Sequence, residues 1–180
     1  MQIRNLCVAA AVLGAALSAQ SPLTTTYAGG NGLGTNSMIW FDVTVNTAVT
    51  ITQLDINAGT GSTAGSIDVY TIAGGHTGFE TNPAAWTLQG NVAIAAPNPE
   101  GSPTPCVLSS PFLLTPGTYG FAIAYNTGIS LVYSNGPMGP FSNVEMSVMD
   151  GGSGGIWGGI VNTPRVFNGS IYYSTGSGYA

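Results

Sequence analysis

The sequence predicts an all-β fold, an antiparallel two-sheet β-sandwich of jelly-roll-like arrangement, and three observations point to it. Past residue 20 no long segment shows the apolar period of a helix. The chain's 27 glycines and 11 prolines fall roughly every eight to twelve residues, the punctuation of strands and turns in a sandwich. The segments between them are rich in Val, Ile, Thr, Tyr and Phe, which suit a pleated, half-buried surface.

Leu23 to Ala28 reads as a first short strand, closed by Gly29 and Gly30. Ser37 to Val45 alternates cleanly: Ile39, Phe41, Val43 and Val45 share one face, and Met38, Trp40, Asp42 and Thr44 the other. Val49 to Ile56 alternates with a slip of phase, and a bulge near Thr52 and Gln53 would keep Val49, Ile51, Leu54 and Ile56 facing one core. Ser66 to Ile72 follows a Gly-rich turn. Gly74 to Ala84 reads as a longer loop, and Ala85 to Ile94 as the strand after it. A Pro-rich connection over Ala96 to Pro105 precedes a strand at Cys106 to Leu114. Tyr119 to Tyr125 and Ile129 to Ser134 are expected to form a hairpin around Asn126, Thr127 and Gly128. Asn143 to Met149 alternates imperfectly, Asp150 to Gly159 reads as a flexible run, and Arg165 to Ser174 as the last strand.

Residues 1–19 have the pattern of a secretory signal: Arg4 near the start, an apolar run from Leu6 to Leu17, and small residues at Ala16, Ser18 and Ala19. The run is shorter than the roughly 20 residues of a membrane-spanning helix. Residues 20–180 then form a single domain, with no hydrophobic or basic tail to hold it on a membrane. Cys7 would leave with the signal, so Cys106 stands alone and reads as a small buried hydrophobe rather than an intermolecular disulfide partner.

Charge is the scarcest commodity in the chain. Only 5% of residues are charged against 44% hydrophobic, and without the signal the cations are Arg165 and, when protonated, His76. Such a surface cannot neutralise phosphates, which excludes nucleic acid as a partner. Proton transfer and nucleophile activation draw on His, Lys, Arg and paired carboxylates, so the composition argues against an enzyme.

Three stretches in fixed order carry a resemblance. They are Thr26–Gly32 before Trp40–Val43, His76–Asn82 before Ala85–Leu88, and Thr163–Tyr173. Together they resemble a secreted all-β module of extracellular and cell-surface proteins of marine and environmental bacteria, in which a Trp is expected where Phe167 stands. The resemblance implies a β-sandwich displayed outside the cell and no particular activity.

The remaining candidates are few. His76 with Glu80 four residues on can be written as a catalytic dyad, as a metal pair, or as a hydrogen bond that organises their loop. Neither a nucleophile motif nor enough ligands for zinc accompanies them. Seven acidic residues offer the two carboxylates of a glycosidase, but their spacing pairs no two of them. Asp55, Asn57 and Asp68 flank the turn Gly59–Ser62 and offer oxygens to calcium, the one candidate cofactor. Trp40 and Trp86 sit in strand patterns and read as core. Trp157, in Gly154–Gly159, is either a plug over the sandwich or an exposed stacking platform. The expected function is a non-catalytic extracellular structural or adhesive module that docks to itself or to other surface components. The alternative is a glycan-binding domain using Trp157, His76, Glu80 and Asn168.

Overall fold

The computed structural model describes residues 21–176; the signal expected over 1–19 lies outside them. Fourteen strands are described: β1 Leu23–Thr24, β2 Gly32–Gly34, β3 Ser37–Val45, β4 Val49–Asn57, β5 Gly65–Ala73, β6 Thr87–Ile94, β7 Pro103–Leu114, β8 Gly117–Tyr125, β9 Leu131–Asn135, β10 Phe141–Ser142, β11 Met146–Val148, β12 Gly151–Gly155, β13 Asn162–Phe167 and β14 Gly169–Thr175. They form two antiparallel sheets: a small one in the order β1-β14-β4-β7, and a large one in the order β2-β9-β13-β12-β3-β8-β5-β6, with β11 pairing β3 beyond β12 and β10 pairing β11. Among the described residues no helix is long and apolar enough to cross a membrane.

The period-two pattern explains what each sheet buries. Ile39, Phe41, Val43 and Val45 of β3 face inward with Phe121 and Ile123 of β8, against Ile51, Leu54 and Ile56 of β4. Phe167, Phe41 and Phe121 stack in sequence with ring centroids 4.7 and 5.5 Å apart, and Phe112 of the small sheet closes the row 6.3 Å from Phe121. This aromatic row ties the two layers together. The slip in β4 is a bulge at Thr52: Ile51 pairs Tyr173 and Gln53 pairs Tyr172. All four apolar residues of that strand are thereby fully buried.

Four expectations are corrected. The first strand is two residues long, because the chain after Thr24 leaves the sheet. Tyr119–Tyr125 and Ile129–Ser134 form no hairpin. Both edges of β8 are taken, by β3 and β5, and β9 pairs β13 and β2 instead. The segment Arg165–Ser174 is two strands, in different sheets, with Asn168 at the crossing between β13 and β14. And the run Asp150–Gly159 is not a flexible loop in its first half.

That glycine run is strand β12, whose residues 151–154 are buried between β3 and β13. A β-carbon at Gly151 would stand 1.9 Å from the Trp40 carbonyl oxygen, and one at Gly154 2.0 Å from the Gly159 carbonyl oxygen. The glycines are there because backbone approaches backbone too closely for any side chain.

The outer face of the large sheet is also covered. Met38 and Trp40 are fully buried there, opposite Ala124 and Ala122 of β8, whose small side chains make room for the indole. Residues 74–86 and 156–160 fold over them, adding Trp86, Trp157 and Ile160 to a second apolar cluster.

Candidate functional site

The sequence-predicted residues are dispersed by the fold. His76 lies at the start of the loop over the outer face, and its partner is Asp42 of β3, not Glu80. Asp42 Oδ1 accepts from both the backbone N–H and the Nδ1 of His76, each at 2.8 Å. Gly120 lets this loop sit directly on β8, since a β-carbon there would meet the His76 backbone nitrogen at 2.6 Å. Glu80 accepts from the Gly78 N–H at 2.9 Å. The expected His76–Glu80 bond is absent because the imidazole is bonded to the Asp42 carboxylate and Glu80 to the Gly78 N–H. Burial pulls the Asp42 carboxyl upward, yet the His76 hydrogen bond, its charge and its backbone N–H together outweigh burial and hold Asp42 below its ordinary value.

Trp157 takes the plug position. It is half-buried, with its ring 5.1 Å from Tyr70 and 5.9 Å from Trp86, and its φ of 55° is left-handed. The indole of Trp86 donates to the Phe79 carbonyl at 2.9 Å, pinning the loop beneath. Trp40 and Trp86 are both buried, Trp40 within β3 as expected, but Trp86 just ahead of β6, at the end of a short 3-10 turn over Pro83–Ala85, and not within the strand expected from Ala85.

Asn168 is fully buried and holds the strap around Ala28. Its Nδ2 donates to the Ala28 carbonyl at 2.6 Å. Asn57 Nδ2 donates to the carbonyls of Tyr27 and Ala28 at 3.1 and 3.2 Å, and Asn57 Oδ1 accepts from Gly101 N at 2.8 Å. The first and third stretches of the resemblance therefore touch each other here.

Asp55, Asn57 and Asp68 are not brought together. Asp55 and Asn57 lie on β4 of the small sheet, and Asp68 on β5 of the large one. Asp55 accepts from Gln53 Nε2 at 2.6 Å and from the Tyr172 hydroxyl at 3.0 Å. Asp68 accepts from Asn91 at 2.6 Å and Asn126 at 3.1 Å. Among the described residues no three His, Cys, Asp or Glu side chains converge on one point. Cys106 is buried in the inner core, and burial, with the Asp55 charge, pushes its thiol up to about 12, which keeps it protonated and inert.

The concave surface lies elsewhere, at one end of the sandwich. Two adjoining hollows of about 330 and 260 Å³ share Gly59, Thr60 and Glu100. The Glu100 carboxylate accepts from the Gly30 N–H, from Thr60 N at 2.8 Å and from Thr60 Oγ1 at 2.7 Å. The Gly30 N–H, then the Thr60 hydroxyl and N–H, hold Glu100 below its ordinary value. Sequence reasoning passed over this residue. Its signal is modest: an acidic side chain between Pro99 and Gly101 in a Pro-rich connection, where turns hold it near other loops.

Both depressed carboxyls, Asp42 and Glu100, set the sign of an acid response. Their folded-state values lie below the unfolded 3.8 and 4.5. The stability they contribute is therefore present above the unfolded values and lost as pH falls through the folded ones. Acid titration followed by circular dichroism should show unfolding setting in below about pH 4, and the double variant Asp42→Asn, Glu100→Gln should show a flatter acid limb. Equal acid limbs in the two proteins would refute this. No protein-family model matches the chain, and comparison with curated proteins finds no match.

Proposed function

We propose that this chain is an exported, non-catalytic module that works by contact, as a structural or adhesive unit docking to other extracellular components. One observation supports the reading above others: each of its seven acidic side chains is committed to a hydrogen bond that shapes the fold. Five are described above. Of the other two, Glu145 accepts from the Tyr173 hydroxyl at 3.1 Å, and Asp150 accepts from Met138 N at 2.6 Å and Gly139 N at 2.9 Å. A catalytic carboxylate keeps its oxygens for substrate; these are engaged by the protein's own backbone N–H groups, amides, hydroxyls and the His76 imidazole. The Asp42–His76 pair has the form of two members of a triad, but no hydroxyl or thiol among the described residues hydrogen-bonds the imidazole. The secretory pattern of residues 1–19 and the resemblance to a secreted bacterial module supply the extracellular setting.

The distinction is measurable because catalytic and structural carboxylates respond oppositely to neutralisation. A catalytic group sits at a locally unfavourable place, so its removal commonly stabilises the fold. A structural acceptor, once removed, leaves backbone N–H groups unmatched at about 1–3 kcal/mol. Calorimetry of Asp42→Asn, Glu100→Gln and Asp150→Asn should show a lower Tm for each, by roughly 2–8 °C at the part-buried bonds of Asp42 and Asp150 and by less at Glu100, whose exposed donors can turn to water. A rise in Tm for any of them would mark that carboxylate as functional and sink the reading.

A further inference from the structure

The double hollow around Glu100 is a concavity built by four segments of the chain, and its lining restricts what it can hold. Glycines form much of it. At Gly30 in the larger lobe and Gly61 in the smaller one, a β-carbon would meet nothing within 4 Å, so both mouths are open. No Trp, Tyr or Phe lines either lobe, which removes the ring faces on which pyranose sugars stack. The carboxamides have their nitrogens already engaged by neighbouring acceptors. Asn31 Nδ2 donates to Asn135 Oδ1 at 2.8 Å, and Asn98 Nδ2 to the Pro103 carbonyl at 2.6 Å. Their oxygens accept no hydrogen bond among the described residues. The Thr60 hydroxyl is spent on Glu100. Beside one serine hydroxyl in each lobe, Ser130 in the larger and Ser62 in the smaller, each lobe offers an amide oxygen, with one ionised carboxylate shared between them. That carboxylate takes three donors and has room for a fourth.

An acceptor-lined groove centred on a fixed negative charge selects a donor-rich cation. An extended chain, rather than a compact ion, fits two lobes that meet at a single carboxylate. We propose that the Glu100 double groove binds an extended lysine-bearing peptide segment of another protein, its ammonium groups reaching Glu100 and the amide oxygens of Asn31 and Asn98. The proposal rests on the contact function above and names the partner's chemistry. This chain has no lysine at all, so the groove cannot be filled by a lysine of a second copy.

The test is a titration of the ¹⁵N-labelled protein with trilysine, followed by backbone amide shifts. Controls are the same peptide with its side-chain amines acetylated, and maltotriose. Trilysine should move Gly30, Asn31, Thr60 and Asn98–Gly101 in fast exchange and weaken at least about threefold between 20 and 200 mM salt, as a single screened pair does. Glu100→Gln should weaken it about threefold or more. Because that change also loosens the loops, Asn31→Ala and Asn98→Ala, which leave the Glu100 clamp in place, should each weaken binding without shifting the other lobe. The proposal is overturned if acetylated trilysine or maltotriose gives the same shifts, if the shifts map elsewhere, or if both Asn variants bind as the wild type does. Failure here with all three carboxylate variants still lowering Tm removes the peptide ligand and leaves the contact function standing.

Discussion

Gly151→Ala should be the most damaging single-methyl change in the molecule. The added β-carbon would lie 1.9 Å from the Trp40 carbonyl oxygen and 2.8 Å from the Phe41 Cα. These are backbone atoms of β3, which is paired to β8 along its whole length, so nothing there can swing aside. Relief requires β12 to part from β3, which would break the Gly152–Gly155 ladder and uncover Met38 and Trp40. A loss of about 4 kcal/mol or more is expected, in the range reserved for overpacked or disrupted cores. Urea denaturation checks it, with Gly155→Ala as the matched control on the same strand. A β-carbon at Gly155 meets nothing within 4 Å, and that variant should stay within about 0.5 kcal/mol of the parent. Equal stabilities for the two alanine variants would show that β12 is not wedged against β3.

Phe41→Ala should rank next. Phe41 is fully buried between Phe121 and Phe167, the middle of the row that reaches Phe112 in the opposite sheet. Truncation removes both stacked contacts and leaves a cavity that rigid strands on either side cannot collapse. The expected cost is about 3–5 kcal/mol, or roughly 10 °C in Tm. Phe79→Ala, at a ring 39% exposed, should cost less than about 1 kcal/mol. If Phe41→Ala lost no more than Phe79→Ala, the two sheets would not depend on the aromatic row for their cohesion.

How far the sequence could be read depended on whether a feature was local. The alternation of Ser37–Val45 and the slipped phase of Val49–Ile56 gave the inner faces of β3 and β4 and the bulge at Thr52, because side-chain direction along a strand follows from backbone geometry alone. Cys106 and Trp40 were legible as core for the same reason, whereas Trp86 lies outside β6 and is buried by the loop folded over the outer face. The glycine run 151–155 was not. Glycine tracts have no side-chain pattern, and only the carbonyls of Trp40 and Gly159 pressing on them show that they form a strand. His76 was visible as chemistry, but its partner was sought four residues along a loop. The true partner, Asp42, lies 34 residues away in sequence and meets it because the loop sits on β8. Asp68 looked near Asp55 and Asn57 across one turn, yet that turn carries the chain from one sheet to the other.

By itself, then, the sequence determined the two-layer all-β class, the residues that face inward, and a surface nearly without cations. These follow from period, turn chemistry and composition, all of which are read within a few residues. The tertiary structure alone decided which strands are neighbours, that a run of glycines lies inside a sheet, and that seven carboxylates serve the fold. Those outcomes depend on contacts between segments far apart in the chain, where burying complementary faces outweighs any local preference.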